Sequence, residues 1–160
     1  ERTIRKWGIK TVVNLRGEHP DAPWYREELR ACQSAGVQHV DFGWSRSNMP
    51  SPESLAAYVD TVKNAPKPIL VHCEGGTHRT GAAAAIWLLL RGHGTRTARG
   101  QFGPMFRNAP IGEVVTLYEQ YGAGMPFEDW VRTGYPEHYR QHTGMSEDWG
   151  RPPVLCLKAI

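Results

Sequence analysis

Short apolar runs alternate with amphipathic segments over the first part of the chain. The apolar runs at residues 11–15, 37–42 and 66–71 contain β-branched side chains and are flanked by glycine or proline, which is typical of strands. The compact run at residues 66–71 is expected to be a buried strand. The segments between them, residues 20–35 and 51–65, place apolar side chains at helical spacing. Strands that alternate with helices in this way predict an α/β fold, with a single parallel or mostly parallel sheet flanked by helices.

Residues that start and stop helices support these boundaries. Residues 3–6 are typical of the end of a helix, which Gly8 breaks before the first strand. Gly36 is a natural C-terminal cap for the segment before it. Ser51 can cap the next helix, and Pro52 suits its first turn.

Helical patterns continue after the third predicted strand. The run AAAAIWLLL at residues 82–90 is a strong helix former, but it is too short to span a bilayer and is expected to be a core helix. Apolar stripes at residues 110–121 and 126–133 predict two further helices packed on the sheet. We expect one domain over residues 1–145 and a loosely ordered tail over residues 146–160.

Composition narrows the function classes. A chain of 160 residues with 40% hydrophobic content is long enough for one well-buried domain and short for two. The net charge of +3 is mild, and no dense basic block indicates a nucleic-acid partner. Three widely spaced cysteines make no disulfide framework, so a reducing, cytoplasmic location is expected. Because the chain starts at Glu1 without methionine, a removed targeting segment stays an open alternative.

The stretch HCEGGTHRTG, residues 72–81, joins the third strand to the core helix. A helix that starts near Arg79 leaves its first backbone N–H groups without partners. The small residues Gly75, Gly76 and Thr77 allow the preceding loop to curl, so that further N–H groups converge on one point. The resulting loop predicts an anion-binding site.

Cys73 lies at the floor of this predicted loop. The helix dipole and the guanidinium of Arg79 both favour the thiolate, so the pKa of Cys73 is expected to lie below that of a free cysteine. Arg79 offers a planar fork that matches two oxygens of a phosphoryl group. The hydroxyl of Thr80 is placed to donate to the sulfur when it becomes a leaving group.

Three other interpretations are weaker. A cysteine after a strand is commonly a small core residue, but that reading gives no purpose to the adjacent glycines and the arginine. Zinc binding by His72, Cys73 and His78 would need a second ligand pair at metal spacing, and the Walker loop would need a lysine. His138 and His142 are four residues apart on a possible helix, where a solvated face is a better interpretation than a metal site.

The stretch HCEGGTHRTG resembles the signature of the cysteine-dependent protein tyrosine and dual-specificity phosphatases, in which His-Cys is followed by five residues, then Arg and Ser or Thr. Gly76, three residues after the cysteine, falls where that family also has a glycine. Beyond the motif, GIKTVVNLRGE, AGVQHVDFG and PILVHC, each separated by a predicted helix, resemble the compact atypical dual-specificity branch. The resemblance implies a dual-specificity phosphatase-like fold over roughly the first two thirds of the chain.

The resemblance also implies roles for the loop. Cys73 would be the nucleophile of a two-step phosphoester hydrolysis through a phosphocysteine, with no metal or cofactor required. Arg79 would bind the phosphoryl oxygens, and Thr80 would assist the sulfur. His72 would support the loop through hydrogen bonds. The residues expected to bind phosphate are Glu74, Gly75, Gly76, Thr77, His78 and Arg79.

The general acid is less well marked. The family uses an aspartate after the strand that corresponds to residues 37–42, and only Asp41 is available there. Asp41 falls within the predicted strand, so a structural role at the strand end is the alternative. Trp44 and Arg46, in the following loop, are candidates for the pocket wall, and ordinary surface is the alternative.

A phosphorylated protein, on tyrosine or with mixed specificity, is the first substrate expected. The alternatives are an inositol phosphate or another small phosphorylated metabolite, and a phosphate-binding module with weak catalysis. Glu74 and Thr77 stand where relatives that prefer highly phosphorylated substrates often carry lysines, which disfavours polyanions. We expect a monomer with neither a nucleic-acid nor a membrane partner.

Overall fold

The computed structural model describes residues 1–104, 109–122 and 124–143. The predicted tail, residues 146–160, lies outside the described residues, as do the last two residues of the predicted domain.

The described residues contain one three-stranded sheet. Its strands are β1 (Thr11–Asn14), β2 (Gln38–Asp41) and β3 (Ile69–His72), in the order β2-β1-β3. Both pairings are parallel. Parallel neighbours require crossover connections, and α-helices supply them here. The predicted α/β fold, with a parallel sheet flanked by helices, is confirmed.

Eight α-helices surround this sheet in the part of the chain that the structure describes. They are α1 (Arg2–Trp7), α2 (Pro23–Ser34), α3 (Pro52–Asn64), α4 (His78–Leu90), α5 (Thr95–Arg99), α6 (Glu113–Tyr121), α7 (Phe127–Thr133) and α8 (Tyr135–Thr143). A short 3-10 turn at Gly100–Phe102 follows α5, and another at Pro110–Gly112 leads directly into α6. None of these helices is both long enough and apolar enough to cross a membrane.

The two faces of the sheet have different cores. Val13 and Val40 face the larger core, in which α3, α4 and the later helices pack. Val12 faces the opposite, smaller core, where Cys32 of α2 and Ile4 of α1 are buried. This alternation follows from the period of two in a strand, which sends successive side chains to opposite faces.

The third strand differs from the prediction in one respect. Residues 66–71 were expected to form a buried strand, but all four residues of β3 are only half-buried. Within the described part of the chain β3 pairs with β1 alone and is therefore an edge strand. Its side chains still contact both cores, Ile69 and Val71 on one face and Leu70 on the other.

The core helix α4 packs closely on the segment that follows α5. Gly81 lies in its first turn, and a Cβ atom there would come within 3.0 Å of the Gln101 carbonyl oxygen and 3.3 Å of the Phe102 ring. Any larger side chain would push these groups apart. Gly81 therefore sets how near the N-terminal end of α4 lies to Phe102, and α4 in turn carries three residues of the site, His78, Arg79 and Thr80.

Candidate active site

The loop between β3 and α4 contains residues 73–77, so the strand, the loop and the helix meet as the sequence predicts. Gly76 has φ +69°, a conformation that residues with a Cβ atom rarely adopt. Thr77 is the N-cap of α4, and its hydroxyl donates to the carbonyl oxygen of Gly75. The first N–H groups of a 13-residue helix are thus directed towards the loop.

Cys73 is half-buried at the start of the loop. The Thr80 hydroxyl donates to its Sγ atom over 3.2 Å. Burial alone would raise the pKa of Cys73, but hydrogen bonds from the Thr80 side chain and from the backbone N–H groups of Thr80 and Gly76, with the charge of Arg79, lower it on balance. The arrangement favours a thiolate, as the sequence predicts.

Arg79, the second residue of α4, has a side chain that is only 17% exposed. One guanidinium nitrogen lies 3.5 Å from the carbonyl oxygen of Leu15, just after β1. Another lies 3.9 Å from the Glu74 carboxylate, which is 74% exposed. These contacts are long, so the guanidinium keeps donors for an anion in the loop.

A cavity of about 610 Å³ opens over the loop. Such a volume is typical of a small-molecule site. The wall of the cavity is formed by Trp44, Ser45 and Arg46, which follow β2, and by residues of the loop and of the first turn of α4, which are Cys73, Glu74, Gly75, Thr77, His78 and Arg79. Both predicted wall residues therefore line it.

Trp44 and Arg46 contribute to this wall in different ways. Trp44 is almost fully buried, and its indole N–H donates to the Ser54 hydroxyl over 2.9 Å. Its ring also packs on Tyr58, with the two centroids 4.8 Å apart. Arg46 is exposed and adds a second cation, besides Arg79, to the lining of the cavity.

Asp41 does not line this cavity. Its carboxylate accepts hydrogen bonds of 2.7 Å from the Tyr25 hydroxyl and from the Asn14 amide, and it lies 3.4 Å from His39 Nδ1. Burial would raise the pKa of Asp41, but the hydrogen bonds from His39, Tyr25 and Asn14 lower it on balance. The arrangement therefore fits a structural carboxylate at the strand end, the alternative role, better than a proton donor.

His72 contacts the loop as the sequence predicts. Its Nδ1 lies 3.3 Å from the carbonyl oxygen of Cys73, and its Nε2 lies 2.8 Å from a carboxylate oxygen of Glu28 in α2. The Nε2 atom makes no hydrogen bond of regular geometry in the described residues, so charge holds this second contact. The ion pair with Glu28 raises the pKa of His72.

Sequence reasoning missed Glu28 and His39, although a signal was present. In β2, Val40 faces the larger core, so His39 and Asp41 share the opposite face with His72 of β3. Polar residues on a face that a helix covers need partners on that helix. Glu28 is the partner, and no motif identifies it.

No group of three or more histidine, cysteine or acidic side chains is arranged to hold a metal ion among the described residues.

The chain matches a protein-family model described as a DSP-PTPase phosphatase fused to NAD+ kinase, over residues 3–108, about two thirds of its length. It is also 33% identical, over 93 residues, to the receptor-type tyrosine-protein phosphatase V of Rattus norvegicus. That match covers 50% of this chain, and the chain spans only 5% of the curated relative.

Three solved structures share the fold. The active form of Tk-PTP superposes with a TM-score of 0.53 at 24% identity, covering 72% of this chain and 79% of that one. The core catalytic domain of the PP-IP phosphatase SIW14 from S. cerevisiae gives 0.51 at 20% identity, covering 86% and 76%. A phosphatase structure from Neisseria meningitidis gives 0.51 at 18% identity, covering 66% and 80%. The family match, the shared fold and the Cys73 loop agree, and the chain belongs to the DSP-PTPase phosphatase family.

Proposed function

We propose that this protein is a phosphomonoester hydrolase that acts through a phosphocysteine intermediate on Cys73. The observation that carries the proposal is the sulfur atom itself, which accepts hydrogen bonds from the Thr80 hydroxyl and from loop amides beside the Arg79 guanidinium. A thiolate held in this way is a nucleophile, and the same donors suit the oxygens of a phosphoryl group.

In the first step the Cys73 thiolate attacks phosphorus in line. The S–P bond forms, the P–O bond to the leaving group breaks, and the leaving oxygen keeps the bonding electrons and takes a proton from water. The loop N–H groups of residues 74–79 and the Arg79 fork neutralise the equatorial oxygens. In the second step water attacks phosphorus, the S–P bond breaks, the proton of the water passes to solvent and inorganic phosphate is released, while the Thr80 hydroxyl stabilises the departing thiolate.

The proton for the leaving oxygen is the weak part of the site. The Asp41 carboxylate lies outside the cavity and is engaged by Tyr25 and Asn14, and Glu74, the carboxylate among the described residues that line the cavity, is largely exposed. We assign Asp41 a structural role and infer that leaving groups of low pKa, such as phenols or phosphoanhydrides, react best because they need little protonation.

Phosphotyrosine in a protein is the first substrate class that we propose, because its phenol is such a leaving group. A small phosphoanhydride or inositol phosphate is the second. The two arginines that line the cavity, Arg46 and Arg79, favour it, and one protein of the same fold is an inositol pyrophosphate phosphatase by its name. Glu74 and Thr77 in the loop disfavour a highly charged substrate. A phosphate-binding module with weak catalysis is a third possibility.

The central test is hydrolysis of p-nitrophenyl phosphate, which needs little acid assistance. We expect turnover in the presence of chelator, inhibition by vanadate and loss of activity in Cys73→Ser. Phosphate release that persists in Cys73→Ser or that requires added metal would contradict the proposal. Binding of phosphate without turnover by the unaltered protein would instead support the binding module.

The assignment of Asp41 is tested with two substrates of unequal leaving groups. We expect Asp41→Asn to lower the turnover of phenyl phosphate and of p-nitrophenyl phosphate by similar factors, because the loss acts through structure. A much larger loss with phenyl phosphate would restore Asp41 as the general acid. Thermal unfolding of the variant, measured in parallel, reports the structural cost.

A further inference from the structure

A chain of charged side chains crosses one face of the sheet from β2 to the loop. Glu28 of α2 is its centre, with one carboxylate oxygen 2.8 Å from His39 Nε2 and the other 2.8 Å from His72 Nε2. His39 belongs to β2 and His72 to β3, so this single side chain spans the width of the three strands. His72 immediately precedes Cys73.

The far end of the chain is closed by Asp41. His39 Nδ1 lies 3.4 Å from its carboxylate, which also accepts hydrogen bonds from Tyr25 and Asn14. Cys32, one turn further along α2, is a further titratable group on this side, and burial, together with the charge of Glu28, raises the pKa of its thiol to about 11. The side chains of His39, Asp41, Glu28 and His72 are 9%, 13%, 22% and 25% exposed.

The partners of each imidazole define its protonation state. Both ring nitrogens of His39 face carboxylates, while His72 faces a carboxylate at Nε2 and the Cys73 carbonyl oxygen at Nδ1. An acceptor at each nitrogen is satisfied only when both nitrogens carry a proton. The four side chains therefore alternate in charge, with Asp41 and Glu28 as carboxylates and His39 and His72 as imidazoliums. Burial would raise the pKa of Glu28, but the hydrogen bond with His39 and the close contact with the His72 imidazole lower it to about 2 on balance.

We propose that Glu28 is a positioning residue for the nucleophile. Its carboxylate holds His72 as an imidazolium, so that the Nδ1–H of His72 stays directed at the carbonyl oxygen of Cys73 and fixes the first peptide of the loop. This inference rests on the proposed function, because it treats the ordered loop as part of a catalytic site.

A purely structural role for the same carboxylate would have different consequences. As a structural ion pair, Glu28 would affect stability and leave the pH dependence of turnover unchanged. As a positioning residue, Glu28 keeps His72 protonated across the working pH range. The ionisation of His72 is then absent from the pH profile of turnover. Without Glu28 the pKa of His72 falls towards the ordinary value of about 6.5. The neutral ring that forms as pH rises through that value carries one proton, divided between Nδ1 and Nε2, so the Nδ1–H donor is then only partly populated.

The first measurement is an NMR titration of the imidazole of His72, with His72→Asn used for assignment. We expect the unaltered protein to titrate above the range of a free histidine, and Glu28→Gln to titrate near it. Glu27→Gln is the matched control, because Glu27 is exposed on the adjacent position of α2 and the charge change is identical. An ordinary titration of His72 in the unaltered protein would overturn the proposal, even if Glu28→Gln failed to fold.

The second measurement is the pH profile of kcat/KM on p-nitrophenyl phosphate. We expect Glu28→Gln to gain an alkaline limb, with activity falling by roughly threefold or more between pH 6 and pH 8 as His72 loses its proton. Glu27→Gln should lack this limb, and so should Glu28→Gln combined with His72→Asn. A folded Glu28→Gln whose profile matches that of the unaltered protein would also overturn the proposal.

Failure of the inference can be told apart from failure of the proposed function. An unaltered protein that neither hydrolyses p-nitrophenyl phosphate nor reacts rapidly at Cys73 would reject the function. An active protein in which Glu28→Gln leaves the His72 titration unmoved would reject the inference alone.

Discussion

The hydrogen bond from Thr80 to Cys73 provides a direct test of the predicted thiolate. Thr80→Val removes the hydroxyl that lies 3.2 Å from Sγ and keeps the shape and branching of the side chain. The backbone N–H groups of Thr80 and Gly76 still face the sulfur in this variant. The change therefore isolates one donor of the site.

The magnitude follows from the kind of bond. A hydrogen bond to a charged group contributes roughly 1.5–3 kcal/mol, and the lower end applies here because water can reach the half-buried sulfur. A loss of about 1.4 kcal/mol corresponds to a factor of about ten. The pKa of Cys73 should therefore rise in Thr80→Val. At a pH below both pKa values, alkylation should be about tenfold slower because less thiolate is present.

The assay is the rate of iodoacetamide alkylation at Cys73 as a function of pH, followed by mass spectrometry of its peptide. Thr80→Ser keeps the hydroxyl and should return the profile close to that of the unaltered protein. In turnover, Thr80→Val should slow hydrolysis of the phosphocysteine, because the departing thiolate loses a donor, and p-nitrophenol release should then show a burst. An unchanged or downward-shifted alkylation midpoint in Thr80→Val would refute the reasoning.

Four further predictions concern the anion site and stability. Arg79→Lys loses the planar fork, so inhibition by vanadate should weaken by roughly tenfold, measured as an inhibition constant. Gly81→Ala places a Cβ atom 3.0 Å from a backbone oxygen and should lower the free energy of unfolding in urea by about 1–3 kcal/mol. Tyr135→Phe removes a buried hydroxyl that donates to the Pro50 carbonyl oxygen over 2.7 Å, and should cost about 1–3 kcal/mol in the same assay. Burial would lower the pKa of His39, but its carboxylate partners raise it to about 9 on balance. The protonated His39 side chain therefore contributes stability that is fully present below about pH 6.5. Urea unfolding should therefore show that this stability is lost as pH rises towards 9, with a smaller loss in His39→Gln.

The strand and the helix on either side of the Cys73 loop could be predicted because each depends on its own short stretch of sequence. The apolar run before His72 and the alanine-rich run after Gly81 specify a strand and a helix by their own side chains. Gly76 specifies the turn between them because its positive φ suits glycine. The position of Thr80 seven residues after Cys73 then brings its hydroxyl to the sulfur through the first turn of α4.

Element boundaries were predicted less well where neighbours decide them. The helix expected over residues 20–35 begins at Pro23, and the one expected over 110–121 starts as a 3-10 turn before α6. The burial of β3 was overestimated because an apolar run does not reveal which strand lies at an edge.

The sequence by itself determined the chemistry of the loop, since the thiol, the glycine turn, the arginine and the threonine lie within eight consecutive residues whose backbone path is local. The tertiary structure decided what surrounds that loop. It placed Arg46 in the lining of the cavity, directed Asp41 to Tyr25 and Asn14, and brought Glu28 to His72. These contacts join residues separated by many positions in the chain, so they depend on how the helices pack against the sheet, which no short stretch of sequence specifies.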